Sequence, residues 1–126
     1  MIDGMRNQKY NGNSAPRIVL FSPISHEDLQ SRHLPDGKKN NANLDLYTNA
    51  MREICENKEV PFVDLFEASQ KLYASSDKPL TMNGVHLLDH GNRAIAREIL
   101  PNLVPGKRPP EDQEIAQLRE IVLRKN

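Results

Sequence analysis

The sequence predicts an α/β domain of three layers, in which helices cover both faces of a parallel sheet. Two short apolar runs, residues 17–22 and 60–65, are continuous rather than alternating, which is typical of strands buried on both faces. A helical pattern comes between the runs and another follows them, and this order requires crossover connections that make the strands parallel. Two or three strands are visible where such a sheet usually has about five, so we expect the domain to be incomplete.

The first strand lies between two polar segments. A short lead-in, with Ile2, Met5 and Tyr10 at helical spacing, ends at a turn signal over residues 11–16. The loop that follows the strand, residues 23–43, is long for a compact domain. Loops of this length usually carry function or move.

Three further segments are predicted to be helices, the first of them from the apolar spacing of an amphipathic helix. The first covers residues 44–58 and could be capped by Asn43. Its apolar stripe consists of Leu44, Tyr47, Met51, Ile54 and Cys55. The second covers residues 66–74, after the second strand. The third begins at a cap residue, Asp89, and should end near Leu100 because a proline follows.

The end of the chain is predicted to be a linker, residues 106–110, and a last helix, residues 111–124. Acidic residues in the first turn and basic residues in the last turn of this helix suit its dipole. One face of it is apolar and carries Ile115, Leu118, Ile121 and Val122. We therefore expect residues 1–105 to belong to the α/β domain and residues 106–126 to form a linker and a C-terminal helix.

Composition argues against several classes of function. Seventeen Lys and Arg balance seventeen Asp and Glu, so net charge indicates neither nucleic acid nor a membrane surface as partner. The longest apolar run, Ile18–Phe21, is too short to span a membrane, and the N-terminus lacks a signal-peptide core. The single cysteine, Cys55, is expected to be a structural thiol, and no spacing indicates a metal site. We expect no metal, cofactor, nucleic-acid or membrane partner; the compartment stays unknown, because an export signal would lie upstream.

The segment 80–92 contains the best candidate for chemistry. It combines a loop, a glycine that allows a sharp turn, and His86 directly before a helix, with Asn83 three residues upstream. A histidine placed in this way is held by the scaffold yet faces an opening, as a general base requires. The alternative from the residues alone is a capping or buried histidine that is simply hydrogen-bonded.

The pattern Asn83-Gly-Val-His86-Leu, followed by Gly91 and by Ala94-Ile-Ala96, resembles the last block of the SGNH (GDSL-like) serine hydrolases. The family's pattern there is Asp-x-x-His-Leu and a following helix. The likeness extends over Pro16–Leu103 as an ordered set, since a buried strand, a crossover helix and the segment VPFVDLF precede the histidine in the family's order. The resemblance implies a flavodoxin-like, three-layer α/β/α fold.

By this resemblance, His86 is the general base that takes the proton from a nucleophilic serine. Asn83 stands where most members have Asp. An amide oxygen can still orient the imidazole, but it adds no negative charge. Three explanations compete: an Asn variant native to a subfamily, which we favour, a dyad helped by a backbone carbonyl, and a decayed site.

The resemblance also implies parts that this sequence does not contain. The family's Gly-Asp-Ser block, which carries the nucleophile, and the blocks that supply the oxyanion donors would lie before residue 1. Ser14, Ser22 and Ser25 do not match the context of the nucleophile. We therefore expect the C-terminal half of an esterase, inactive by itself, whose parent hydrolyses a carboxylic ester such as an O-acetylated carbohydrate.

A second place of interest is the loop after the first strand, which in this family borders the active-site opening. His26 and Glu27 are therefore expected to contact the substrate. The alternative is a solvated loop cap in which Ser25 or Asp28 closes a turn. Elsewhere, the side chains of His33 and His90 are expected to face solvent.

Two other functions stay open. One is a non-catalytic α/β module whose polar loop binds a carbohydrate or a protein, and the other is a subunit whose separately encoded partner supplies the nucleophile. In-frame Gly-Asp-Ser and Gly-x-Asn blocks upstream of Met1 would favour the esterase. Because the first strand would lack covering neighbours, we also expect self-association through an exposed sheet.

Overall fold

The computed structural model describes residues 1–104, 106–108 and 110–125, so the domain boundary expected at residue 105, the linker residue Pro109 and the terminal Asn126 lie outside the described residues. The fold is mixed α/β and mostly helical, with a small parallel sheet. Its elements in chain order are α1 (Ile2–Arg6), β1 (Leu20–Phe21), α2 (Lys38–Asn57), β2 (Phe62–Val63), α3 (Leu65–Ser75), α4 (Asp89–Leu103) and α5 (Asp112–Lys125). None of the helices in the described ranges is long and apolar enough to cross a membrane.

The two strands pair in parallel, as the sequence predicts. The register places Leu20 opposite Phe62 and Phe21 opposite Val63. Each strand has only two residues, so the ladder is shorter than the apolar runs. One reason is that Pro61, just before β2, has no N–H to donate to a neighbouring strand.

The outer edge of β1 has no strand partner among the described residues. The N–H groups of Leu20 and Ser22 both donate to carbonyls next to or within β2, each at 3.0 Å. Since alternate residues of a strand direct their backbone groups to opposite sides, those of Val19 and Phe21 point away from β2. Self-association through an exposed sheet stays a prediction, and this edge is where it would occur.

Two clusters of apolar side chains pack on opposite faces of the sheet, because successive strand residues point to opposite sides. On one face the buried members are Ile2, Cys55 and Val60, joined by Ile18, Leu20 and Phe62. On the other face they are Val63, Leu65 and Ile95, joined by Val19, Phe21, Ile24, Leu72, Leu87 and Ile99. Helices therefore cover the strands on both sides.

Only part of the predicted stripe of α2 is buried. Cys55 is 1% exposed, and burial raises the pKa of its thiol, which agrees with a structural cysteine. Tyr47 and Ile54, by contrast, are 67% and 50% exposed. The narrow sheet explains the difference, since two short strands cannot cover a helix of 20 residues.

Helix α2 also begins earlier than predicted. The sequence indicated a start at Leu44 with Asn43 as its cap, whereas α2 begins at Lys38 and contains Asn43. The residue before it, Gly37, has a φ of 73°, and Asp36 accepts a hydrogen bond from the backbone N–H of Lys38 at 3.1 Å. A turn of this kind can start a helix in a purely polar stretch.

Helix α3 has almost the predicted bounds, but both ends of α4 differ from the prediction. Asp89 is the first helical residue rather than the cap, a position taken by Leu88. The helix also passes through Pro101 and ends at Leu103 instead of near Leu100. A proline in the last turn removes only one backbone donor, so the helix can continue for two residues beyond it.

The two ends of the chain bury little apolar surface. In the lead-in, Ile2 is buried but Tyr10 is 75% exposed and lies beyond the end of α1. Helix α5 agrees with the predicted last helix to within one residue at each end. Most of its predicted apolar face is exposed.

Candidate functional site

The loop that carries His86 is closed by backbone hydrogen bonds at its base. Thr81 and Leu87 form an isolated antiparallel bridge. The N–H of Met82 donates to the carbonyl of His86 at 2.9 Å, and the N–H of Leu88 donates to the carbonyl of Leu80 at 2.8 Å. We call residues 80–88 the histidine loop. Its closure presents the middle of the loop at the surface.

Asn83 organises the top of the histidine loop. Its Oδ1 accepts hydrogen bonds from the backbone N–H groups of Val85 at 3.3 Å and His86 at 3.0 Å. The same oxygen lies 3.1 Å from Nδ1 of His86. Since the oxygen only accepts, Nδ1 must carry the proton, which leaves the lone pair of the neutral ring on Nε2. The two residues singled out from the sequence are therefore in direct contact.

His86 is exposed, and no described residue bonds to its Nε2. A neutral imidazole with one nitrogen held and the other facing solvent can accept a proton from a bound molecule. Ser14, Ser22 and Ser25 do not contribute to this contact. Ser22 and Ser25 are buried, where their hydroxyls bond to other groups, and Ser14 bonds to Asn11 near the start of the chain.

Glu27 lies beneath the histidine loop, with only 6% of its surface exposed. Its carboxylate accepts hydrogen bonds from the N–H of Leu80 at 3.0 Å, from the N–H of Thr81 at 2.7 Å and from the Thr81 hydroxyl at 2.6 Å. The Thr81 oxygen in turn accepts from the N–H of Gly84 at 2.9 Å. The sequence placed Glu27 against the substrate, whereas in the structure its carboxylate is engaged in holding the loop.

His26 is also buried, and it is fixed at its backbone by the side chain of Asn41. The N–H of His26 donates to Oδ1 of Asn41 at 2.7 Å, and Nδ2 of Asn41 donates to the carbonyl of His26 at 2.9 Å. Nδ2 of Asn40 lies 3.2 Å from Nδ1 of the ring, so this nitrogen accepts. The other ring nitrogen, Nε2, is buried without a hydrogen-bond partner among the described residues.

Two glycines with positive φ make room for the His26 ring. A Cβ atom on Gly84, whose φ is 88°, would lie 2.3 Å from Nε2 of His26. A Cβ atom on Gly37 would lie 2.6 Å from Cδ2 of the ring. Both positions therefore require glycine for backbone conformation and for space. The ring links the start of α2 to the histidine loop.

A groove of about 360 Å³ opens beside the histidine loop. It lies between the loop after β1, the first turns of α2 and the top of the histidine loop, and its lining comprises Pro23, Ile24, Ser25, His26, Asn40, Asn43, Leu44 and Val85. Val85, which precedes the candidate base, is 50% exposed. A larger hollow of about 730 Å³ runs along β2, and none of the predicted site residues lines it.

The neighbouring polar residues have simple structural roles. Asp28 closes a turn by accepting a hydrogen bond from the N–H of Gln30 at 2.8 Å, as the sequence suggested. His33 is exposed, whereas His90 is half-buried and donates from Nε2 to the carbonyl of Pro79 at 2.8 Å, because its helix packs against the histidine loop. In the part of the chain that the structure describes, no group of three His, Cys, Asp or Glu side chains could hold a metal ion.

Sequence reasoning missed Thr81, Asn40 and Asn41. Thr81 and Asn41 join the loop after β1 to other segments, and Asn40 adds a contact to the His26 ring. The only local sign of the Asn contacts is a pair of amides at the start of a helix, beside a glycine turn.

No protein-family model, curated protein or solved structure matches this chain.

Proposed function

We propose that this chain is the C-terminal half of an SGNH-type serine esterase, in which His86 is the general base and Asn83 orients its ring. The contact between Asn83 Oδ1 and His86 Nδ1 is the observation that carries the proposal. Because the Asn83 oxygen only accepts hydrogen bonds, this contact assigns the ring proton to Nδ1. Nε2 can then remove the proton of an attacking hydroxyl and return it to the leaving alcohol. The proposed nucleophile and oxyanion donors would belong to a preceding segment.

The arrangement around the sheet supports the proposal. A three-layer α/β/α fold needs parallel strands with helices on both faces, and the parallel pair with an apolar cluster on each face is compatible with this architecture. The outer edge of β1 offers backbone groups to which further strands could add. Those strands would carry the remaining catalytic blocks.

The groove beside Val85 is the proposed substrate-binding region. Its apolar side chains, such as Ile24 and Leu44, would cover the non-polar part of an ester. The amides of Asn40 and Asn43 lie in the same lining and could bond to hydroxyl or carbonyl groups. An O-acetylated carbohydrate, the substrate class favoured by the resemblance, offers both kinds of surface.

The proposal predicts that Asn83 fixes the tautomer of His86. In ¹⁵N NMR spectra of the 126-residue chain at neutral pH, Nδ1 should carry the proton in most molecules. Asn83→Ala should release the ring, so that both tautomers are populated, whereas Asn11→Ala, which removes an Asx turn near the start of the chain, should leave the His86 signals unchanged. A dominant Nε2–H tautomer in the unmodified chain would contradict the assigned role.

Activity tests the remainder of the proposal. The chain alone should not hydrolyse a short-chain acetyl ester, because the proposed nucleophile and the donors that would stabilise the oxyanion, usually the largest catalytic contribution, belong to the preceding segment. Expressed together with the in-frame segment upstream of Met1, it should hydrolyse the ester. His86→Ala should abolish that activity and His33→Ala should not. Stop codons directly before Met1 would rule out the esterase for this gene product.

The groove also favours a second candidate, a non-catalytic α/β module that binds a carbohydrate or a protein. The residues of its lining belong to this chain, so binding can be tested on the chain by itself. Isothermal titration with acetylated and unacetylated oligosaccharides separates the two candidates. Binding that is unchanged in His86→Ala, together with no hydrolysis by the longer chain, would favour the binding module.

A further inference from the structure

Helix α5 carries an apolar face that the described part of the chain leaves uncovered beyond its first turn. Leu118, Ile121 and Val122 are each between 49% and 62% exposed. Ile115, at the start of the face, is partly buried. The spacing of Ile115, Leu118 and Val122, three residues and then four, is that of the seam between paired helices.

The charges at the two ends of α5 indicate which partner fits this face. The first turn contains Asp112 and Glu114, and Glu111 precedes it, while Arg124 and Lys125 form the last turn. If a second α5 packs antiparallel on this face, the acidic end of one helix lies beside the basic end of the other at both ends of the pair. A parallel partner would place like charges together.

We propose that α5 is a self-association surface, on which two copies of this chain pair their α5 helices in antiparallel orientation. Leu118 of each copy then contacts Val122 of the other, and the acidic and basic ends meet. Both ends already form ion pairs within the chain. At the acidic end Asp112 pairs with Arg97 and Glu114 pairs with Arg108, and at the basic end Arg124 pairs with Glu120. All of these side chains are more than half exposed, and such pairs are individually weak, so a second copy can share them. The proposal does not depend on the esterase.

The association should be weak and reversible. A helix of 14 residues spans about 21 Å, so the paired surface is smaller than a standard protein interface. We expect a dissociation constant in the micromolar range or above. Self-association should therefore depend on concentration in analytical ultracentrifugation.

The first experiment compares two leucines in sedimentation equilibrium, from micromolar to millimolar chain. Leu118→Lys should raise the dissociation constant at least tenfold. Leu46→Lys changes a leucine of similar exposure, 69% against 62%, on α2, and should leave the constant unchanged. A monomer at millimolar concentration, or Leu118→Lys chains that associate as tightly as the unmodified chain, would overturn the proposal; the second result would point to the β1 edge.

The second experiment tests the orientation with engineered cysteines, while Cys55 stays buried. Under mild oxidation, a mixture of Ile115→Cys and Lys125→Cys chains should form mixed disulfide dimers, because the register that brings Leu118 to Val122 also brings residue 115 opposite residue 125. Either variant alone should form no more dimer than Leu46→Cys. If each variant cross-links efficiently with itself and the mixture contains no mixed disulfide, the pairing is parallel and the antiparallel arrangement is refuted.

Discussion

The histidine loop and helix α5 both lie at the surface, yet opposite kinds of interaction define them. In the loop, the buried N–H groups of Leu80, Thr81 and Gly84 reach acceptors supplied by Glu27 and by the Thr81 hydroxyl. Along α5, the uncovered side chains are apolar and have no partner of their own kind beyond the first turn in the described ranges. Contacts within the chain therefore specify the loop, whereas the outer face of α5 is exposed and is the surface that we propose for self-association.

The largest effect is expected from removal of the acceptor beneath the histidine loop. Glu27→Ala leaves two buried N–H groups and a hydroxyl without a partner, and should lower the free energy of unfolding by about 3 to 5 kcal/mol. Urea unfolding followed by circular dichroism measures the change. Asp28→Ala, at the exposed neighbouring position, is the control and should cost less than about 1 kcal/mol. Equal effects would mean that the carboxylate does not hold the loop.

A smaller effect is expected from a methyl group between the loop and His26. Gly84→Ala combines a positive φ with the close contact to the ring, and should destabilise by about 2 to 3 kcal/mol. Gly12 has a similar φ, 78°, but no atom within 4 Å of an added Cβ, so Gly12→Ala should cost about 1 kcal/mol. If the two variants melt at the same temperature, the ring does not constrain the loop.

Alkaline pH acts on the same region through Tyr73, whose hydroxyl donates to the carbonyl of Ser25 at 3.1 Å. Burial, helped by the nearby Glu27 carboxylate, raises the pKa of Tyr73 to about 12. Because the folded-state pKa lies above the ordinary value of about 10, the contribution to stability is complete below pH 10 and is lost as the pH rises towards 12.

Tyr73→Phe should therefore cost about 1 kcal/mol at neutral pH and make unfolding less dependent on pH between about 10 and 12. Chemical unfolding at pH 8, 10 and 11 in a non-nucleophilic buffer measures this. Tyr10→Phe, at an exposed position, is the matched control and should keep the alkaline loss. An unchanged pH dependence in Tyr73→Phe would refute the assignment.

The smallest effect on the free energy of unfolding is expected from a substitution on helix α5. Leu118→Lys should change the free energy of unfolding of the monomer by less than about 0.5 kcal/mol, since the side chain is 62% exposed. Thermal unfolding at low micromolar concentration, where pairs are dissociated, tests this. A large loss there would mean that α5 is part of the core of the monomer.

Features carried by neighbouring residues could be predicted from the sequence. The parallel strands followed from apolar continuity and from the order of the elements, and the contact between Asn83 and His86 was implied by the family resemblance of the segment around them. The start of α2 was missed because residues 38–43 are all polar or small, and helix prediction relied on apolar spacing. The signal was present in Asp36 and Gly37, as a turn rather than a stripe.

The position of Glu27 could not be predicted in the same way. An acidic residue in a polar loop has the same local pattern whether water or a distant N–H group solvates it. Its partners are on another segment, and only the assembled sheet and helices bring them close. The same holds for His26, because the two glycines that make room for its ring, Gly37 and Gly84, come from different parts of the chain. Long-range polar contacts of this kind leave no periodic trace.

The distance along the chain between Glu27 and its partners also sets when the site can form. Glu27 and Thr81 are separated by 54 residues, and closing a segment of that length costs more entropy than forming a local turn. Because β1, α2 and β2 lie in or beside this span, we expect the carboxylate to reach the loop after these elements have come together. During synthesis or refolding, the segment around His86 would therefore be among the last to gain its shape, and it would be open to proteases until then.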